Sequence, residues 1–213
     1  MSLHLFKSNS LFLHIPKTGG TWIEAALKSC GFELDYAKAI TGVSWRHPLR
    51  SHCTENFSFA FSFVRHPLSW YESWWKFQAK SWNVFEPGVW HPQRVLKKCA
   101  TDDFSEFIRL CIEYEPGYVS RMYEWYIGPP GYEVVDFVGR HENLSCDLSR
   151  VLRKLSYEFD EDALRRHERV NVSAKQCGDP VWEEDLKQRV LALEGPAISR
   201  FYAGQHVGVP EPS

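Results

Sequence analysis

A lysine, two threonines and two adjacent glycines stand together as Lys17-Thr18-Gly19-Gly20-Thr21, directly after the apolar run Leu11 to Ile15 and Pro16. That combination suits an anion. Glycines let a backbone approach a ligand closely, the free N–H groups at the start of a following helix point at it, and Lys17 and Thr21 add a charge and a hydroxyl. A second set of anion-binding groups is Arg65 with Ser73 eight residues on. Arginine brings a planar, permanently charged fork that matches phosphate, and serine adds one more hydrogen bond. Nine histidines are available for proton transfer near neutral pH.

Each of these groups needs an element to hold it. The run "LFLHI" reads as a short strand ended by Pro16, and "TWIEAALKSC" as a helix, with Trp22 over Ala26, Ile23 over Leu27 and Gly31 as its C-terminal cap. "FSFAFSFV" alternates large and small side chains with a period of two, as a strand covered on both faces does, and Pro67 fits the first turn of a helix through "LSWYESWWKFQAK". Arg65 therefore ends one strand as the Lys17 turn ends another. Trp70, Trp74 and Phe77 form a core stripe at helical spacing on that helix, leaving Trp82 and Trp90 as candidates for contact with a ligand.

Further on, "DDFSEFIRLCIEY" reads as a helix capped by Asp102 or Asp103, "EVVDFVG" as a late strand, and "NLSCDLSRVLRKL" as a helix capped by Asn143. "PVWEEDLKQRVLALEG" is a last helix stopped by Gly195 and Pro196, and residues 208–213 are a frayed tail. The alternation implies an α/β fold in a single domain, 1–213: a P-loop-like, mostly parallel sheet flanked by helices on both faces. In such sheets ligands bind outside the carboxyl ends of the strands, where the Lys17 turn and Arg65 both lie.

Composition narrows the partners. A net charge of −2 argues against binding nucleic acid through overall charge, so any phosphate site is local. No apolar stretch reaches a membrane span and no signal-peptide pattern opens the chain, which reads as cytoplasmic. The six cysteines show no C-x-x-C pair, so neither zinc nor a disulfide framework is expected, and no metal is called for. The turn is not the kinase loop G-x-x-x-x-G-K-[ST], because its lysine precedes its glycines. Taken alone, it also suits a tight strand-to-helix connection with an incidental lysine.

The two motifs together resemble the sulfotransferases that use 3'-phosphoadenylyl sulfate (PAPS), in particular carbohydrate-type and bacterial-like cytosolic members. "PKTGGTW" is similar to that family's 5'-phosphosulfate loop, and Arg65 with Ser73 to its 3'-phosphate motif. The resemblance implies nucleotide contacts at Lys17, Thr18, Gly19, Gly20, Thr21, Trp22, Arg65 and Ser73, with PAPS as co-substrate and adenosine 3',5'-bisphosphate as product. "RVNVSAKQ" sits where many members close a loop over the nucleotide, which makes Ser173 and Lys175 further candidates.

The implied reaction moves a sulfuryl group to a hydroxyl of a small molecule or glycan, by an in-line displacement in which the protein positions reactants and stabilises charge. Lys17 would neutralise the leaving phosphate. A histidine this far ahead of the arginine strand serves as general base in the family, which favours His47, with His52 or a glutamate as alternatives. A kinase-like phosphotransferase and a non-catalytic nucleotide-binding module remain the other readings.

Overall fold

The aromatic alternation read over residues 57–64 becomes an interior strand, Phe59–Val64, of a five-stranded sheet. In this computed structural model, which describes residues 1–43, 46–78, 89–167 and 179–203, the sheet has the strand order β3-β1-β2-β4-β5. The strands are β1 (Leu3–Leu5), β2 (Ser10–Phe12), β3 (Leu34–Tyr36), β4 (Phe59–Val64) and β5 (Phe137–Arg140). β2, β4 and β5 run parallel, with Leu11 beside Ala60 and Phe63 beside Gly139. β1 is antiparallel to both β2 and β3. The sheet is therefore mixed rather than mostly parallel. The difference comes from residues 3–12, which turn back on themselves through a 3-10 turn at Phe6–Ser8 and Asn9 in the left-handed region (φ 46°).

Among the described residues eight helices surround it: α1 (Gly20–Ser29), α2 (Pro67–Gln78), α3 (Phe104–Tyr114), α4 (Tyr118–Ile127), α5 (Leu144–Lys154), α6 (Glu161–Arg166), α7 (Glu184–Leu193) and α8 (Gly195–Tyr202). Large and small residues of β4 separate as their alternation requires. Phe59, Phe61 and Phe63 join Phe12 and the apolar sides of α1, α5 and α6 in one core; Ala60 and Val64 join α2, α3, α4, α7 and α8 in the other. Both faces of the sheet are thus covered by helices.

Helix ends follow local chemistry where local chemistry exists. Asp103, not Asp102, caps α3 by accepting from Glu106 N. α1 closes with the N–H of Gly31 on Lys28 O and that of Phe32 on Leu27 O, and Gly31 takes the φ of 75° that this paired ending requires. Asn143 precedes α5 but makes no side-chain cap. Gly195 and Pro196 do not simply stop a helix: they open α8, where proline's fixed φ and missing N–H fit the first turn. On α2, Trp70 and Trp74 are buried as expected, while Phe77 is 46% exposed and lies outside the core stripe. Trp82, Ser173, Lys175 and the 208–213 tail fall outside the described residues. Among those described, no helix is long and apolar enough to cross a membrane.

Candidate functional site

β2 and β4 are parallel neighbours, so the segments leaving their carboxyl ends emerge side by side. After β2 the chain stays beside β4 for one more rung, Leu13 N to Phe61 O, and then turns. The turn is fastened from within: Trp70 Nε1 donates to Pro16 O at 2.9 Å, and Thr18 Oγ1 to Ile15 O at 2.8 Å. The Thr18 side chain is fully buried, so its hydroxyl serves the turn itself. Trp22 is likewise anchored in the fold, its Nε1 donating to His167 O at 3.3 Å. Thr21 is exposed at the mouth.

Both glycines are required by packing. A side chain on Gly20 would meet the His14 ring at 2.2 Å, and one on Gly19, already at φ 96°, would meet Leu144 at 2.7 Å. The turn is wedged between those two side chains, with its backbone exposed where a Cβ would otherwise stand. No side chain caps α1 at Gly19, so the first N–H groups of the helix are left for water or an anion. Lys17 holds φ 67°, a left-handed conformation that costs a residue with a Cβ on the order of 1 kcal/mol. That conformation accompanies a side chain directed back over α2, with Nζ 4.2 Å from the centre of the Phe77 ring.

Arg65 lies across from it. Its backbone is clamped by Tyr123, whose hydroxyl receives Arg65 N–H at 2.9 Å and donates to Arg65 O at 2.5 Å. Its guanidinium donates through Nε to Ser69 Oγ at 3.1 Å and through Nη1 to Lys17 O at 3.5 Å. Positions 65, 69, 73 and 77 step by four and make one row along α2. Lys17 touches Arg65, just before α2, and Phe77, near its end, and Ser73 lies half-buried on the helix between them. Ser69 is the site residue that the motif spacing missed; its offset of four from Arg65 was the available signal. Among the described residues neither Lys17 nor Arg65 forms an ion pair with a carboxylate. Burial, and then the charge of Arg65, pull Lys17 down to about 8, and burial pulls Arg65 below its ordinary range against the opposing charges of Glu142 and Glu72. Two desolvated cations facing one loop are costly unless an anion joins them.

The histidines separate by position. His47 Nδ1 lies 3.3 Å from His14 O; since a carbonyl only accepts, Nδ1 carries the hydrogen and Nε2 holds the lone pair. Tyr126 donates its hydroxyl to His47 O at 2.8 Å and fixes the backbone. The His47 ring is 4.7 Å from that of His14, which itself abuts Gly20, and 5.3 Å from that of His91. Burial holds His14 and His47 well below the ordinary histidine range, and burial with the nearby charge of Arg46 brings His91 to about 4, so all three rings are neutral at pH 7. His52 is used elsewhere: its Nδ1 accepts from Leu49 N at 3.1 Å and its ring meets Trp90 edge-on. His66 shapes the turn into α2, its N–H donating to Glu142 Oε1 at 2.9 Å, and Tyr202 donates to the other Glu142 oxygen.

The assembled arrangement is a glycine turn with an uncapped helix start, two half-buried cations that form no ion pair among the described residues although Glu142 and Glu72 lie near enough to act on Arg65, Ser69 and Ser73 on α2, and a neutral imidazole with its lone pair on Nε2. Among the described residues no cluster of histidine, cysteine or carboxylate side chains is arranged to hold a metal ion. Among known proteins, no family model, no curated protein and no solved structure matches this chain.

Proposed function

We propose that the protein is a sulfotransferase that moves a sulfuryl group from PAPS to a hydroxyl acceptor. The observation that carries this reading is the pairing of Lys17 and Arg65, two half-buried cations side by side where the chain leaves the ends of two parallel strands, one of them in the glycine turn itself. The residues fit the nucleotide. The 5' end would lie on the Gly19–Gly20 backbone and the start of α1, with Lys17 at the bridging oxygen. The 3'-phosphate would take the remaining guanidinium N–H groups of Arg65 and the hydroxyl of Ser73. The parallel part of the sheet, β2-β4-β5, plays the part that a P-loop-like sheet plays in presenting its loops.

In the reaction, the acceptor oxygen forms a bond to sulfur as the bond from sulfur to the 5'-phosphate oxygen breaks. Adenosine 3',5'-bisphosphate leaves, with the new phosphate charge met by Lys17. The acceptor's proton passes to Nε2 of His47, which the His14 carbonyl holds in the required tautomer.

Thermal shift is the first test. Adenosine 3',5'-bisphosphate at a hundredfold excess over its Kd should stabilise the fold by about 2.7 kcal/mol, a rise of roughly 5–10 °C for a chain of this size. ATP with magnesium should do much less. Stabilisation by ATP–magnesium equal to or above that by the bisphosphate would overturn the reading in favour of a phosphotransferase, and binding without turnover of PAPS across acceptors would reduce the protein to a nucleotide-binding module.

A further inference from the structure

Beside the histidines lies an open cleft of about 480 Å³, bordered by Trp90, His91, Pro92, Arg94, Val95 and Trp125. Its volume suits one or two rings rather than an extended chain. Both indoles are braced from the side, Trp90 edge-on to His52 at 4.9 Å and Trp125 edge-on to Tyr118 at 6.1 Å, and Trp125 is 40% exposed. Among the described residues the charged one on the wall is Arg94, exposed and donating one Nη1 hydrogen to Val89 O at 3.1 Å. No carboxylate among the described residues lines the cleft. His91 lines the cleft and packs edge-on against His47, with ring centres 5.3 Å apart and its own orientation fixed by Nδ1 accepting from Gln93 N.

We propose that this cleft is the acceptor subsite and that it takes a hydroxylated ring bearing a carboxylate, the ring lying against the tryptophans and the carboxylate meeting Arg94. The proposal rests on the sulfotransferase reading, which supplies the reason for a hydroxyl to approach His47. Flat apolar faces select the ring, and a wall with one cation and no anion selects the charge. Such a ring has two chemical sources, a phenolic acid or a uronic acid sugar.

The test is calorimetry on the full chain, first with adenosine 3',5'-bisphosphate and then, in its presence, with matched pairs: 4-hydroxyphenylacetate against its neutral alcohol counterpart, and methyl glucuronide against methyl glucoside. In at least one pair the acid should bind about fivefold tighter, the scale of one partly exposed charge pair. That pair identifies the source. Arg94→Gln should abolish the preference, and Trp125→Ala should weaken the same acid about tenfold, the scale of one lost aromatic contact. Equal binding of acid and neutral partner in both pairs, or a preference that survives Arg94→Gln, overturns the proposal while bisphosphate binding leaves the sulfotransferase reading standing. Acid binding in a protein that does not bind bisphosphate overturns that reading and the acceptor role with it.

Discussion

Lys17 combines three properties that rarely meet in one residue: a left-handed backbone, a side chain laid over an aromatic face, and an amine brought down to about 8 by burial and by Arg65. Only the protonated amine attracts an anion, so bisphosphate affinity should fall as pH rises through about 8, and Lys17→Arg, charged throughout, should flatten that dependence. Affinities measured from pH 7 to 9.5 decide it; a flat wild-type profile would remove Lys17 from the anion. His47 is tested by turnover. His47→Ala should slow transfer by about 10²–10⁴ with bisphosphate affinity nearly unchanged, whereas His52→Ala should not, because His52 faces Trp90. Near-normal turnover in the His47 variant would reassign the base. At this scale the sequence reveals groups that bring charge or a proton, such as Lys17, Arg65 and His47. It conceals the groups that only hold them. Tyr123 and Tyr126 lie far along the chain and carry no motif, and Phe77, placed by its spacing in a core stripe, is the surface on which Lys17 rests.

Elements were legible where their signals were local. The Asp103 cap, the Gly31 ending and the period-two alternation of residues 57–64 needed only neighbouring residues, and each corresponds to an observed feature. The strands β1 and β3 are three residues each, too short for a period to show, and the antiparallel half of the sheet went unseen with them. α4 was missed for a different reason: its N-cap is Gly117, which offers no side chain, and its carboxylate partner is Glu194, on another helix junction. The element that most constrains the site is the start of α1. Gly20→Ala would drive a methyl group into the His14 ring, and overpacking of that kind should destabilise by about 1–3 kcal/mol. Combining it with His14→Ala should restore part of the loss, since the two changes share one space. Urea unfolding of the single and double variants measures this, and strict additivity would mean the ring and the glycine do not constrain one another.

For the molecule as a whole, Glu194 is the most connected buried carboxylate. Its oxygens accept from Tyr71 Oη at 2.8 Å, Val119 N at 3.0 Å, Ser120 N at 2.7 Å and Ser120 Oγ at 2.6 Å, joining α2, the start of α4 and the α7–α8 junction. Burial, and then the carboxylate's charge, raise Tyr71 well above its ordinary range, which keeps its hydroxyl a donor. Glu194→Gln preserves the shape but turns donors toward donors, so a loss of about 2–4 kcal/mol is expected, the range of one or two hydrogen bonds to a charged acceptor. A loss below about 0.5 kcal/mol, within the ordinary range for a surface change, would show that the carboxylate is not what holds the junction.

The same carboxylate sets an order of events during synthesis. Glu194 follows the N–H groups of Val119 and Ser120 by 75 and 74 residues, so a ribosome must have made nearly all of the described chain before the first turn of α4 can be completed. α4 in turn carries Tyr123, which clamps Arg65, and Tyr126, which clamps His47. The glycine turn and β4 can therefore emerge and pair early, whereas Arg65 and His47 gain their final positions only when the segment around residue 194 docks. A nascent chain halted before Glu194 is expected to be open to protease at α4 and, under the proposed function, unable to retain adenosine 3',5'-bisphosphate, which would make ligand capture a late event in the life of each newly made molecule.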